Sequence, residues 1–207
     1  NMKPSVIREI LKQMSDPTLI SFAGGNPAAD SFPAEDIARL SDELLRQDPV
    51  AALQYSVSDG VPSVREAVRA FANRRERVAK ENDGVLITSG SQQILDFAAK
   101  CLCNEGDVVA VENPAFLGAF NAFRSSGARL AGVPMEDDGV NLAALEAVFA
   151  APEKPRFFYC IPNFQNPTGK TMSLAKRRAV YALAVRYGVP VLEDDPYGEL
   201  RIAGEPV

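Results

Sequence analysis

From residue 84 onward the chain alternates short, β-branched apolar runs with stretches of helical periodicity, and this rhythm constrains the fold more than any other feature. The spacing predicts strands over 84–88, 107–112, 128–134, 156–161 and 189–193. Between them it predicts helices over 92–103, 115–125, 142–149 and 174–187. Strands that are apolar along nearly their whole length need cover on both faces, which is the condition of a buried, mostly parallel sheet between helical layers. The expectation is an α/β domain whose last strand leaves an edge that another segment must cover.

The first eighty residues have a different texture. Val6, Ile7, Ile10, Leu11 and Met14 mark an amphipathic helix over 2–14, with Asn1 set aside as a remnant ahead of Met2. An apolar run over 19–23 then breaks into Gly24-Gly25-Asn26-Pro27, and Pro33 opens a helix that runs to about residue 46. This opening reads as an arm and not as a core unit.

Composition narrows the chemistry. With 46% hydrophobic residues, 24% charged residues and a net charge of −5, the 207-residue chain is neither disordered nor collagenous nor a disulfide scaffold. No run of five or six basic residues offers a nucleic-acid surface, and Arg74-Arg75-Glu76-Arg77 reads as the solvated face of a helix. No apolar stretch reaches membrane length and no signal peptide is legible, so the expectation is a cytoplasmic protein without membrane or nucleic-acid partners. Cys101, Cys103 and Cys160 are then expected to be reduced, the first two serving buried packing, not metal binding or redox work. The chain has no histidine, which removes the Ser-His-Asp triad, the Cys-His dyad and most zinc chemistry and leaves proton transfer to Lys, Tyr, Asp or a cofactor.

Ligands of open parallel sheets bind at the carboxyl ends of the strands, so chemistry is sought in the loops that follow them. Thr88-Ser89-Gly90-Ser91-Gln92-Gln93 opens directly into a helix; its amides and hydroxyls suit a phosphate, although Ser in this position is also a common helix cap. The G-x-G-x-x-G fingerprint is absent, which disfavours NAD. Glu112-Asn113-Pro114-Ala115-Phe116 places an aromatic at the next helix start, where core packing and ligand contact are both open. In the segment 162–169, Asn163 and Asn166 are either turn builders or partners for a phenolic oxygen. Glu193-Asp194-Asp195 sets three adjacent carboxylates at the last strand end, a costly arrangement unless a cation such as a protonated ring nitrogen pairs with one of them.

Six motifs follow in order across almost the whole chain: Gly24-Gly25-x-Pro27, Leu53-Gln54-Tyr55-Ser56, Ser89-Gly90-Ser91-Gln92-Gln93, Glu112-Asn113-Pro114-x-Phe116, Asn166-Pro167-Thr168-Gly169 and Asp194-Asp195-Pro196-Tyr197. Together they resemble the fold-type I, class I/II aminotransferases that use pyridoxal 5'-phosphate (PLP). The resemblance is greatest to the branch with 2-aminoadipate and kynurenine aminotransferases and the aminotransferase-like half of MocR regulators. It implies the N-terminal part of a three-layer α/β/α PLP-transferase large domain over 49–207, truncated, preceded over 2–48 by an N-terminal arm and helices belonging to the small domain. The activity it implies is transamination between an amino acid and a 2-oxo acid.

The same resemblance assigns roles. Ser89, Gly90, Ser91 and Gln92 would hold the cofactor phosphate and Phe116 would stack on its ring, where the family more often has Tyr. Asn166 and Tyr197 would meet the 3-oxygen, and Asp194 would pair with the ring nitrogen, the carboxylate that keeps a pyridinium protonated as an electron sink. Tyr55 would reach the phosphate of a neighbouring subunit, which implies a homodimer, while Gly24, Gly25 and Asn166 would face substrate. The family's Schiff-base lysine follows the Asp-x-x-Tyr motif by some thirty residues and its carboxylate-binding arginine lies further on; neither has a counterpart here, so the chain alone is expected to be inactive. Two alternatives share these motifs: the effector-binding half of a MocR-type regulator, and a different PLP reaction such as a lyase on the same fold.

Overall fold

A computed structural model describes Thr18, Ile20, residues 25–74 and residues 80–207. The helix expected over 2–14, most of the apolar run 19–23, Gly24 and Arg75 to Arg77 lie outside the described residues. The chain divides into two compact units, Asn1–Ile87 and Thr88–Val207.

The first unit contains helices α1 (Ala34–Gln47), α2 (Pro49–Leu53) and α3 (Pro62–Asn73). Pro33 stands at the N-cap of α1, one residue before the helix proper. Asp48 separates α1 from α2 and caps the latter, its Oδ1 accepting the Ala51 N–H at 3.0 Å, with Pro49 at the first position where no N–H is missed. The run 84–88 forms no strand, which corrects the expectation from its alternation. Apolar alternation makes a strand only where a neighbour offers a ladder, and no strand among the described residues pairs with this run. Its Ile87 N–H bonds instead to the Asp59 carbonyl at 3.0 Å. Gly60 there has φ +102°, and a Cβ on it would lie 2.7 Å from Ile87 Cγ1, so the close approach requires glycine.

The second unit carries the sheet. Helix α4 (Ser91–Leu102) leads into β1 (Val108–Asn113), α5 (Leu117–Ser125) into β2 (Arg129–Glu136), and the short β3 (Gly139–Val140) turns back on β2. Then come α6 (Leu142–Phe149), β4 (Phe158–Cys160), α7 (Leu174–Tyr187) and β5 (Val191–Glu193). The order is β3-β2-β1-β4-β5; the last four are mutually parallel and only β3 is antiparallel. Four of the five predicted strands form, β4 and β5 shorter than expected, while 84–88 does not and β3 is additional. The last strand, β5, pairs with β4 alone among the described residues.

Side chains alternate between two cores, as a sheet covered on both faces demands. Val109, Val111, Phe157 and Tyr159 pack with Leu95, Ala99, Ala119 and Phe123 of α4 and α5. Ala110, Phe158 and Cys160 pack on the opposite side with Leu145, Phe149, Val180 and Ala184 of α6 and α7. The three layers α/β/α are complete over this stretch. Cys160 lies in the core, whereas Cys101 is exposed and Cys103 half-buried. The expected buried packing fails for Cys101 because α4 buries the stripe Leu95 and Ala99, and residue 101 falls off it.

Phe123 closes the first core, edge-on to Phe157 at 5.2 Å and to Tyr159 at 5.5 Å between ring centroids. Truncating it to alanine is expected to lower the unfolding free energy by about 3–5 kcal/mol, the range for a large buried aromatic. Urea denaturation of the Phe123→Ala chain measures this; a change under about 1 kcal/mol would show that Phe123 is not part of the cooperatively unfolding core.

Candidate functional site

Because β1, β4 and β5 are adjacent and parallel, the loops that follow them emerge side by side at one edge of the sheet. Asp194 is the first residue after β5, and its N–H is tied to the Cys160 carbonyl of β4 at 2.9 Å. Its carboxylate accepts the hydroxyl of Tyr159, on β4, at 2.8 Å. Tyr159 is fully buried against Phe123, so this hydroxyl must find a partner inside the protein, and Asp194 is that partner. Burial pushes the Asp194 carboxyl above its usual range; the Tyr159 hydrogen bond opposes the rise and the neighbouring Asp195 adds to it. Burial and Asp194 together hold the Tyr159 phenol well above its ordinary value, so it stays protonated and donating.

Asp195 has a different task. Its Oδ1 accepts the Gly198 N–H at 3.0 Å and its Oδ2 accepts from Asn163 Nδ2 at 3.0 Å, which shapes the turn through Tyr197. A Cβ at Gly198 would stand 2.5 Å from Asp195 Oδ2, so a larger residue there would displace the Asp195 carboxylate. Tyr197 is half-buried, and its hydroxyl lies 3.5 Å from Asn166 Nδ2, the outer limit of a hydrogen bond. The peptide bonds Asn113-Pro114 and Asn166-Pro167, in the loops after β1 and β4, are both cis.

At the start of α4, Gly90 is the N-cap residue with φ +84° and no side chain caps the helix. The Ser89 N–H is taken by Gln93 Oε1 at 2.7 Å, and Thr88 Oγ1 bonds the Gly90 carbonyl at 3.2 Å. Ser89, Gly90, Ser91 and Gln92 are exposed. Gln92 Nε2 donates to the Gly118 carbonyl at 3.2 Å, which brings the beginning of α4 beside the beginning of α5. The half-buried ring of Phe116 lies over Gly118, where a Cβ would come within 2.3 Å of Phe116 Cζ. Gln92 and Phe116 therefore meet at a glycine.

The structure thus pairs expected residues at the carboxyl edge, Gln92 with Phe116 and Asn166 with Tyr197, while Asp194 is held by Tyr159. Tyr55 and Gly25 belong to the first unit; both are exposed, Tyr55 completely. Gly24 is outside the described residues. The sequence assigned no role to Tyr159 or Gln165, and Glu112 entered only as part of a motif. The available signal was that a tyrosine in an otherwise apolar strand needs a partner for its hydroxyl.

These donors suit a phosphorylated heteroaromatic cation. An uncapped helix start with φ-positive glycine and two exposed serines suits a phosphate dianion, and a half-buried carboxylate whose charge is disfavoured by burial gains most from a cationic partner. Among the described residues no group of three or more His, Cys, Asp or Glu is placed to hold a metal ion, and no helix is long and apolar enough to cross a membrane.

Residues 17–205 match the family model of aminotransferase class I and II. The 2-aminoadipate transaminase of Thermus thermophilus is 42% identical over 96% of this chain and 48% of its own length. An HTH-type transcriptional regulator of Bacillus subtilis, YisV, is 31% identical over 98% of the chain and 41% of its own length. The crystal structure of Pyrococcus horikoshii kynurenine aminotransferase, in complex with PMP, superposes with a TM-score of 0.93 and 36% identity over all of this chain and 52% of that one. The chain belongs to the class I and II aminotransferase family, and it spans about half the length of the curated relatives it matches.

Glu112, at the end of β1, is fully buried and accepts the Ile161 N–H at 3.1 Å and Gln165 Nε2 at 3.0 Å on Oε2, while Oε1 has no partner. Burial raises its carboxyl from the usual 4.5 to about 7, against the opposing pull of those two hydrogen bonds. In the unfolded chain the proton leaves at lower pH, so the folded state binds it more tightly and stability falls as pH rises from about 4.5 to about 7. Glu112→Gln keeps the acceptor and removes the charge. It is expected to flatten this pH dependence and raise stability at pH 8 by up to about 3 kcal/mol. Urea unfolding from pH 4.5 to 8 measures the effect, and parallel curves for the two proteins would refute it.

Proposed function

We propose that this chain is the PLP-binding portion of an aminotransferase that exchanges an amino group between an amino acid and a 2-oxo acid. The observation that carries the reading is Asp194, half-buried at the carboxyl edge of the sheet and gripped by the buried Tyr159, with Asn166 and Tyr197 paired beside it. When bound, PLP supplies a protonated pyridine ring that delocalises the electron pair left on an amino acid when its Cα–H bond breaks.

The chain's own residues then have distinct tasks. Asp194 holds a negative charge toward the ring nitrogen, and Tyr159 fixes the carboxylate's orientation with a proton it does not release. Asn166 and Tyr197 hydrogen-bond the 3-oxygen. Ser89, Gly90, Ser91 and Gln92 bind the phosphate at the start of α4, and Phe116 covers the ring. Gly24, Gly25 and Asn166 face substrate, and Tyr55 completes the phosphate site of a second subunit in a homodimer. We assign residues 2–48 to the small domain and residues 49–207 to the large-domain portion, and place the protein in the cytoplasm. The match to YisV favours a second reading, the ligand-sensing half of a transcription regulator.

In the whole protein, Asp194→Asn is expected to leave the melting temperature close to wild type and to lower transamination on the order of a hundredfold or more, the scale of losing one preorganised electrostatic group. Steady-state kinetics with several amino donors and 2-oxo acids measure this. Wild-type rates in the variant would remove Asp194 from the reaction. A whole protein that binds PLP and an amino acid yet turns nothing over would favour the regulator.

A further inference from the structure

Two buried amides, Asn163 and Gln165, precede Asn166 in the loop after β4, at 5% and 1% exposure. A primary amide offers two donor protons and two acceptor positions, and Gln165 uses all four. Its Nε2 donates to Glu112 Oε2 at 3.0 Å and to the Pro114 carbonyl at 2.8 Å, both in the segment that leads from β1 to Phe116. Its Oε1 accepts the Thr168 N–H at 3.0 Å and the Thr168 hydroxyl at 2.7 Å, inside the turn that carries Asn166. The Gln165 side chain therefore ties the loop after β4 to the loop after β1.

Asn163 makes the corresponding tie on the other side. Its Nδ2 donates to Asp195 Oδ2 at 3.0 Å, and Asp195 in turn accepts the Gly198 N–H next to Tyr197. Its Oδ1 accepts from Arg177 Nη2 at 2.7 Å, and Arg177 is itself anchored on the Met172 carbonyl at 3.0 Å and the Pro162 carbonyl at 3.2 Å. Packing alone does not call for such residues, because an apolar side chain of similar volume fills the same space without four partners to satisfy. What the amides add is directional spacing between neighbouring loops.

We infer that Asn163 and Gln165 are the positioning residues that set the distances between the loops bearing Phe116, Asn166 and Tyr197, an inference that rests on the PLP reading of that edge. Each works on one boundary only: Gln165 between the β1 and β4 loops, Asn163 between the β4 and β5 loops.

The test uses this chain with Gln165→Leu and Asn163→Leu, and PLP as the probe. Three quantities are read: the PLP dissociation constant by absorbance titration, amide hydrogen exchange at Thr168 and Gly198, and the melting temperature. Gln165→Leu is expected to weaken PLP binding about tenfold, the scale of leaving one buried polar group without its partner, and to release Thr168 from protection while Gly198 stays protected. Asn163→Leu is expected to do the converse. Unchanged affinity with a lowered melting temperature would make the amides structural only and overturn the inference. If the wild-type chain binds no PLP, the functional reading fails separately, and the positioning claim is decided by exchange alone: selective release supports it, while uniform or absent release overturns it. Should a leucine variant not fold, Gln165→Asn and Asn163→Ser shorten the side chain at the same two boundaries and are judged by the same outcomes.

Discussion

Parallel strands can be joined only by a crossover that carries the chain back to the starting edge, and everything functional in this molecule depends on that constraint. With β1, β4 and β5 side by side, segments separated by some fifty or eighty residues of sequence are delivered to one edge of the sheet. The crossover helices cover both faces, so the strands become apolar throughout and the polar chemistry is displaced to their ends. Tyr159 marks the boundary: its ring belongs to the core with Phe123, and its hydroxyl reaches Asp194 at the sheet edge.

The edge is built from polar groups that find partners within the protein, the buried ones being Glu112, Asn163 and Gln165, with Glu112 Oε1 left over. Glu112 with Gln165, and Asn163 with Arg177 and Asp195, form two separate sets of hydrogen bonds around the loop after β4. Such groups are costly to bury and gain little net stability when paired, so their effect is mainly to make one loop arrangement preferable to its alternatives. Glu112 carries the cost openly, as its raised affinity for a proton shows.

Much of this was legible beforehand. The helices over 142–149 and 174–187 form as their periodicity predicts, and each begins at a capped residue: Asn141 accepts the Ala144 N–H and Ser173 the Lys176 N–H. The strands were found because apolar runs bounded by polar turns have few other uses. The reading failed at 84–88, where the right composition meets no partner strand, and at Cys101, where an apolar neighbourhood in sequence is not a buried one in space. At the candidate site, Asp194, Asn166, Tyr197 and Phe116 stood out through their motifs, whereas Tyr159 and Gln165 looked like ordinary strand and turn residues.

By itself, then, the sequence determined the alternation of strand and helix, the absence of imidazole chemistry and the positions of the motif residues, because periodicity, composition and local turn preferences act over a few residues at a time. Only the tertiary structure decided which strands are neighbours, that Tyr159 serves Asp194 across 35 residues, and that Gln165 joins loops 53 residues apart. Hydrogen bonds of that kind depend on which strands lie side by side, and strand order is a property of the assembled sheet that no local stretch of chain encodes.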